Sequence, residues 1–86
     1  MGMGTALREE VEFDAGRLLN PVFSRYRVPR INDAPQIEVV LAGDPTTPST
    51  GAGEPGIVPI AAAIDNAVYN TTEARIRDLP IVPRLP

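Results

Sequence analysis

This chain of 86 residues has no cysteine, no histidine and no lysine. Without cysteine, no disulfide can staple the fold and no thiolate can bind a metal ion. Without histidine, imidazole acid–base chemistry and histidine-ligated zinc are excluded within the chain. All of its basic residues are arginine, a preference from which no function follows.

Long apolar runs and an excess of positive charge are missing as well. No apolar stretch approaches the roughly 20 residues that a membrane span needs, and no secretory signal is visible. The net charge is −3 and the sequence pI is about 4.7, which argues against nucleic acid as the main partner. We therefore expect neither a nucleic-acid partner nor a membrane partner.

Proline and glycine are abundant, with ten and seven residues respectively. This composition indicates much loop structure and few long elements. A chain of this length buries only about 60% of the surface that its unfolded form exposes. We therefore expect residues 1–86 to form a single small domain that is marginally stable by itself.

A glycine-rich turn with one carboxylate, residues 50–56, directly precedes the longest apolar stretch. Gly51 and Gly53 allow a backbone to approach another group closely, and Pro55 suits the first position of a helix. We therefore expect Glu54 at a helix N-terminus, where free N–H groups and the helix dipole favour an anionic group. The other interpretation is an exposed glutamate at an ordinary loop-to-helix junction, since short glycine motifs are weak signals.

Two stretches have the apolar spacing of helices. The first, residues 1–11, has Thr5 as a candidate N-cap. It is too short to be stable alone, so we expect it to be the end of a longer element. The second, residues 57–69, has the pattern of an amphipathic helix. Pro59 falls in its first turn, where a missing N–H costs nothing.

Three stretches have the character of extended chain. Residues 12–19 predict a hairpin around an Asp-Ala-Gly turn. Residues 22–28 alternate in polarity and are a second candidate. Residues 36–41 are the clearest strand, because the apolar Ile37, Val39 and Leu41 alternate with mainly polar neighbours.

Together the segments predict an α+β fold. We expect two helices packed against one face of a small, mostly antiparallel sheet, followed by a proline-rich extended tail at residues 79–86. A small basic cluster, made of Arg25, Arg27 and Arg30, precedes the predicted strand at 36–41. Such a cluster can bind an anion, although it is more often a solvated face.

Several short stretches, taken in order, resemble a known protein family. They are GMGTALREE, YRVP, DAP, GAGEP and LPIVP, at residues 2–10, 26–29, 33–35, 51–55 and 79–83. This order resembles the C-terminal end of the molybdenum-binding subunit of the xanthine dehydrogenase and aldehyde oxidoreductase family. It is similar to the branch that includes isoquinoline 1-oxidoreductase β subunits. The family's subunits are far longer, and their pattern has a glutamine where this chain has Met1.

The resemblance implies an activity and a set of site residues. Molybdenum hydroxylases of this family hydroxylate N-heterocycles or aldehydes with water as the oxygen source. Glu54 falls on the catalytic glutamate of the family, which acts as general base. Gly51, Ala52 and Gly53 match the loop whose backbone lies against the molybdopterin cofactor, and no residue here matches a metal ligand. The resemblance implies the cytosine dinucleotide form of molybdopterin in the intact subunit, and no cofactor in this chain alone.

The resemblance also implies partners, namely the remainder of the molybdenum subunit and an iron–sulfur subunit. For the chain alone we expect self-association into homo-oligomers, because apolar surface would remain uncovered. The expected compartment is the cytoplasm, with the periplasm open for the intact enzyme.

Three interpretations of the chain remain open. The chain is a C-terminal fragment of a molybdenum hydroxylase that is inactive alone, a stand-alone α+β binding or assembly module without catalysis, or an incompletely ordered remnant. Upstream coding sequence and metal content would distinguish them.

Overall fold

The computed structural model describes residues 1–81. Two helices and one two-stranded antiparallel sheet confirm the predicted α+β class. The elements in chain order are helix α1 (Gly2–Leu7), strands β1 (Phe13–Asp14) and β2 (Arg17–Leu18), a 3₁₀ turn (Ile31–Asp33) and helix α2 (Ile60–Thr72). The predicted tail begins at residue 79, and its last part, residues 82–86, lies outside the described residues.

The hairpin forms where the sequence predicts it. Strands β1 and β2 pair directly across a two-residue turn made of Ala15 and Gly16. Both turn residues have positive φ, 47° and 75°, as in the type I′ turn whose twist matches that of paired strands. The short strands bury none of their side chains, so the hairpin has no covered face.

Asn20 is a buried polar residue that ties the base of the hairpin to the chain before it. Its Nδ2 donates to the carbonyl oxygen of Glu10 at 2.7 Å, and its Oδ1 accepts the backbone N–H of Glu12 at 2.9 Å. Asn20 is only 7% exposed, so its side-chain amide is shielded from water. The two hydrogen bonds replace those that water would otherwise make. One side chain therefore fixes how the chain leaves α1 and enters the hairpin.

Helix α1 is the centre of the packed part of the molecule. Its small residues Gly4 and Ala6 are buried. Any Cβ at Gly4 would overlap the ring of Pro29, so only glycine allows this approach. On the same helix, the carbonyl oxygen of Ala6 accepts the N–H of Ile81 at 2.7 Å, and Ile81 is almost fully buried. Distant parts of the chain therefore meet on α1.

The two helices pack against each other, and the predicted packing of both helices on the sheet is wrong. A Cβ at Gly2 would lie 3.0 Å from Cγ1 of Ile60, the first residue of α2. Within residues 1–81, contacts between elements join α1 with α2 and β1 with β2. The physical reason is that a hairpin of two-residue strands offers no apolar face on which a helix could be buried.

The first helix is shorter than predicted. It ends at Leu7, and Met1 occupies the N-cap position. Thr5 therefore lies inside the helix and is not its N-cap. The Thr5 hydroxyl donates instead to Oε2 of Glu9 at 2.8 Å, a local bond typical of a side chain that is three or four residues from its partner on a helix.

The second helix begins later than predicted, at Ile60, with Pro59 at its N-cap position. Residues 53–59 form a series of turns, so Pro55 is not the first helical residue. Proline disfavours helical backbone in the residue that precedes it. A regular helix can therefore start only once Pro59 has been passed.

The chain folds back along α2 after the helix ends. Glu73 ends the helix with φ 58°, and its N–H donates to the Tyr69 carbonyl oxygen. Asp65 then accepts a bond from Nη1 of Arg75 at 2.8 Å and another from the N–H of Ile76 at 3.0 Å. The Arg75 guanidinium lies 4.1 Å from the centre of the Tyr69 ring. The hydrogen bond from Arg75, and next that from Ile76, hold the pKa of Asp65 below its ordinary value.

Two predicted extended segments are not strands. At residues 22–28 the Val22 carbonyl oxygen accepts the N–H groups of Arg25 and Tyr26, both at 2.8 Å, so the chain turns there. Residues 36–41 run without strand pairing and are exposed throughout. A strand needs a neighbour for its backbone groups, and no such neighbour exists within residues 1–81.

Among residues 1–81, no helix has the length and apolar character needed to cross a membrane.

Candidate functional site

The predicted site loop, residues 51–54, lies in the most open part of the molecule. Every residue from 34 to 59 is exposed. Gly51 has φ +90°, a conformation that glycine adopts without strain. Nothing lies within 4 Å of the position that a Cβ would take at Gly51 or Gly53. The backbone of the loop can therefore be approached closely from outside.

Glu54 lies in a turn of its own, separate from α2. Its carbonyl oxygen accepts the N–H of Ile57 at 2.8 Å and that of Val58 at 3.2 Å, so a helix-like turn follows it. The prediction that Glu54 lies at the N-terminus of the long helix is wrong, since α2 begins only at Ile60. In the described part of the chain its carboxylate has no ion-pair partner, and the residue is exposed.

The three small residues before Glu54 share its exposure. Gly51, Ala52 and Gly53 project no bulky side chain, and they line neither the apolar groove beside the hairpin nor the arginine-lined grooves beside α1. The structure therefore keeps the four predicted site residues together on one open loop. It places nothing opposite them within residues 1–81.

The described residues do not by themselves form a site for a molybdenum cofactor. A cradle requires protein atoms on more than one side of the bound group, and the glycines of this loop face open space. No group of three or more acidic side chains within residues 1–81 could hold a metal ion. Within the described residues the loop therefore presents one open surface.

The predicted basic cluster lines two grooves in the structure. Arg27 lines one groove with Arg30 and Arg8 and another with Arg25 and Arg8. Nη1 of Arg25 also donates to the carbonyl oxygen of Leu19 at 3.3 Å. Arg8 was not among the predicted residues, because only the packing of α1 brings it beside the later arginines.

The groove lined by Arg8, Arg27 and Arg30 has one carboxylate beside it, that of Asp33. Arg8 pairs with Asp33 at 2.6 Å, and the Asp33 carboxylate also accepts the backbone N–H of Arg30 at 2.9 Å. Asp33 thus closes the 3₁₀ turn and joins it to α1. Pro29, the last residue of the YRVP stretch, contacts Gly4 in the same region.

Longer proteins contain a stretch similar to nearly the whole of this chain. The aldehyde oxidoreductase molybdenum-binding subunit PaoC of Escherichia coli strain K12 is 43% identical over 88 residues, which cover 94% of this chain and 12% of that subunit. The xanthine dehydrogenase molybdenum-binding subunit of Escherichia coli O157:H7 is 41% identical over 90 residues, which cover 98% of this chain and 12% of that subunit. The isoquinoline 1-oxidoreductase subunit beta of Brevundimonas diminuta is 34% identical over 84 residues, 98% of this chain and 11% of that subunit.

These relatives confirm the resemblance on which the site residues were chosen. The isoquinoline branch is among them, at a lower identity than the aldehyde oxidoreductase subunit. No protein-family model and no solved structure matches the chain. The chain spans about 12% of the length of the relatives with which it shares the highest of these identities. Its sequence belongs to the family of molybdenum-binding subunits of xanthine dehydrogenases and aldehyde oxidoreductases.

Proposed function

We propose that this chain supplies one wall of the active site of a molybdenum hydroxylase, at the C-terminal end of the molybdenum-binding subunit. The reaction is the hydroxylation of an N-heterocycle or an aldehyde with water as the oxygen source. The observation that carries the proposal is the open loop at residues 51–54. It presents a carboxylate without an ion-pair partner in the described part of the chain, in a chain 43% identical to an aldehyde oxidoreductase subunit.

Glu54 acts as the general base in this proposal. A general base must come within hydrogen-bond reach of the proton that it accepts. Within residues 1–81 no cationic side chain holds the Glu54 carboxylate, so its oxygens are accessible to an attacking hydroxyl. Glu54 would take the proton from that hydroxyl as the oxygen adds to an electron-poor carbon of the substrate, and the C–H bond of that carbon would break with its electron pair passing to the oxidising cofactor.

Gly51, Ala52 and Gly53 provide the surface next to the base. In the complete subunit these residues would help to hold the pterin of a molybdopterin, in its cytosine dinucleotide form, and the absence of bulky side chains would permit close backbone contact. The cofactor, when bound, accepts the electrons of the oxidation. Because residues 1–81 form no cradle for this group, we expect the isolated chain to bind none and to be inactive.

The proposed partners are the remainder of the molybdenum subunit and an iron–sulfur subunit that passes the electrons on. The isolated chain exposes several large apolar side chains, among them Phe23 at 77% and Leu41 at 94%. Such surface favours association, so we expect the isolated chain to form homo-oligomers, which light scattering at micromolar concentration would detect. We place the intact enzyme in the cytoplasm, with the periplasm as the alternative.

The test of the base uses a chimera in which this chain replaces the matching segment of the Escherichia coli K12 aldehyde oxidoreductase subunit. The substitution Glu54→Gln keeps the shape of the side chain and removes its ability to accept a proton. Because general-base catalysis contributes typically about 10²- to 10⁴-fold, we expect kcat to fall by that factor while the molybdenum content is unchanged.

The matched control is Glu73→Gln, which removes the same charge from another exposed glutamate, at the end of α2. We expect its turnover to equal that of the unsubstituted chimera. Unchanged turnover in the Glu54 variant would show that another group is the base. An equal loss in both variants would show that the effect is one of net charge.

A further inference from the structure

Residues 36–41 have the alternating sequence of a strand, but within residues 1–81 they pair with no other strand. The apolar residues Ile37, Val39 and Leu41 alternate with neighbours that include the apolar Val40. These four side chains are 74–94% exposed. Within residues 1–81, none of the backbone groups of this segment takes part in a backbone hydrogen bond. Within the part of the chain that the structure describes, the backbone donors and acceptors of these residues therefore have no backbone partner.

We propose that residues 36–41 add as a strand to a sheet edge in the remainder of the molybdenum-binding subunit, and that this pairing fixes the position of the loop carrying Glu54. The inference rests on the proposed function, because it names the partner that completes the same site. Strand addition derives its affinity from backbone hydrogen bonds and its specificity from alternate side chains. The segment offers both.

The pattern of apolar residues indicates which partner covers the segment. Ile37, Val39 and Leu41 share one face and Val40 lies on the other. Strands that are apolar on both faces are typical of sheets covered on both sides. A second copy of this chain fits less well as the partner. Its described residues offer only strands of two residues and an exposed segment identical to this one. The subunit, of which this chain spans about 12%, is large enough to supply both a sheet edge and covering layers.

Pairing at residues 36–41 would act directly on the site loop. On its C-terminal side the loop leads into α2, which is anchored because Ile60 packs against Gly2 of α1. On its N-terminal side nothing within residues 1–81 holds the chain between residue 36 and the loop except a local turn at Asp44. Fixing the second end reduces the conformational freedom of the intervening loop. Glu54 then has a defined position relative to its surroundings.

Amide hydrogen exchange, measured by mass spectrometry or NMR, tests the pairing. In the isolated chain we expect amides 37–41 to exchange as rapidly as those of an unstructured peptide, at low and at high protein concentration. In the chimera with the Escherichia coli K12 subunit we expect those of the same amides that face the partner strand, which are every second one, to exchange at least about 100-fold more slowly, as in ordered sheets.

Proline substitutions identify the bonds responsible. Val39→Pro and Val40→Pro each remove one backbone donor. Because the N–H groups of successive strand residues point to opposite sides, only one of these two donors faces the partner strand. In the chimera we expect that change to abolish protection at the other amides that face the partner and to lower turnover, and the change at the neighbouring residue to be tolerated better. Ser49→Pro, in the exposed loop between the strand and the site, is the control and should preserve protection. Should the proline chimeras fail to fold, Val40→Lys provides a second test. It should be tolerated in the isolated chain and lower the melting temperature of the chimera.

The outcomes distinguish this inference from the proposed function, because protection is measured without reference to turnover. The Glu54→Gln chimera should retain full protection at residues 37–41. Rapid exchange at these amides in a folded, active chimera would contradict the proposed strand pairing. It would not affect the assignment of Glu54 as the general base. Protection in the isolated chain, whether constant or rising with protein concentration, would also overturn the proposal, because the strand would then pair within the chain or with a second copy.

Discussion

The segment around α1 and the stretch from residue 34 to residue 59 are both rich in small and apolar residues, yet only the first is covered. Gly4 and Ala6 are buried where Pro29 and Ile81 meet the helix. In the second region every residue is exposed, including the apolar Leu41. The difference lies in the neighbours that each region finds, because other residues of this chain pack against α1 and none within residues 1–81 covers the open stretch.

The contrast indicates that the candidate site lies in the region that contributes less to the stability of the folded chain. The packed region holds the described chain together through one helix, its contact with α2 and a few hydrogen bonds. The open region carries Glu54, and it contributes little to the stability of the chain because it buries so little surface. We therefore expect substitutions in the packed region to affect stability and substitutions in the open region to affect turnover.

The largest effect on stability should come from filling the close contact on α1. In Gly4→Val the new side chain would overlap the ring of Pro29, and overpacking of this kind costs about 3 kcal/mol. Urea unfolding followed by circular dichroism measures the loss. Gly43→Val is the matched control in the open region, where nothing lies within 4 Å, and it should leave the unfolding midpoint unchanged. Equal effects of the two substitutions would remove the distinction between the regions.

An intermediate effect is expected at the base of the hairpin. Asn20→Ala removes both side-chain hydrogen bonds, to the Glu10 carbonyl and from the Glu12 N–H. Leaving these part-buried backbone groups without partners costs about 1 kcal/mol, again measurable by urea unfolding. The substitution Asn32→Ala, at an exposed asparagine, should cost much less. A loss in Asn20→Ala no larger than in this control would show that the hairpin base is not coupled to the packed region.

Part of the fold follows from local sequence, and that part was predictable. The hairpin is specified by turn residues that accept positive φ, and α2 by its apolar periodicity, so both were found, although α2 begins at Ile60 and ends at Thr72 and not at the predicted residues 57 and 69. The contact of Gly4 with Pro29 joins residues that are far apart in the chain, and no local pattern indicates it. The packing of helices on the sheet was wrongly predicted for a related reason, because strand length determines whether a face exists.

The sequence predicted that the site residues lie on one loop, but it did not predict how that loop is arranged in space. The glycines and Glu54 were found because their residue types are informative at that spacing, and the loop is open as those residues allow. The strand predicted at residues 36–41 does not pair in the described chain. Its alternation indicates a strand, but periodicity does not show which neighbour pairs with it. Arg8 joins the later arginines only through the fold.

The smallest effect concerns the segment that folds back along α2. The hydrogen bond from Arg75, followed by that from Ile76, holds the pKa of Asp65 below its ordinary value of 3.8. A group with a lowered pKa stabilises the folded form fully above its ordinary value and loses this contribution as the pH falls through the folded value. NMR titration of the Asp65 carboxyl carbon should give a midpoint below 3.8, and Arg75→Gln should move it upward. An identical midpoint in both proteins would contradict the contact.

The most direct test of the account is the molybdenum content of two proteins produced with the same cofactor supply and purified alike. One is the isolated chain, and the other is the chimera in which this chain replaces the matching segment of the Escherichia coli K12 aldehyde oxidoreductase subunit. We predict stoichiometric molybdenum in the chimera and none in the isolated chain, because residues 51–54 form a single open wall. Stoichiometric molybdenum bound tightly to the isolated chain would contradict the claim that the rest of the subunit completes the site.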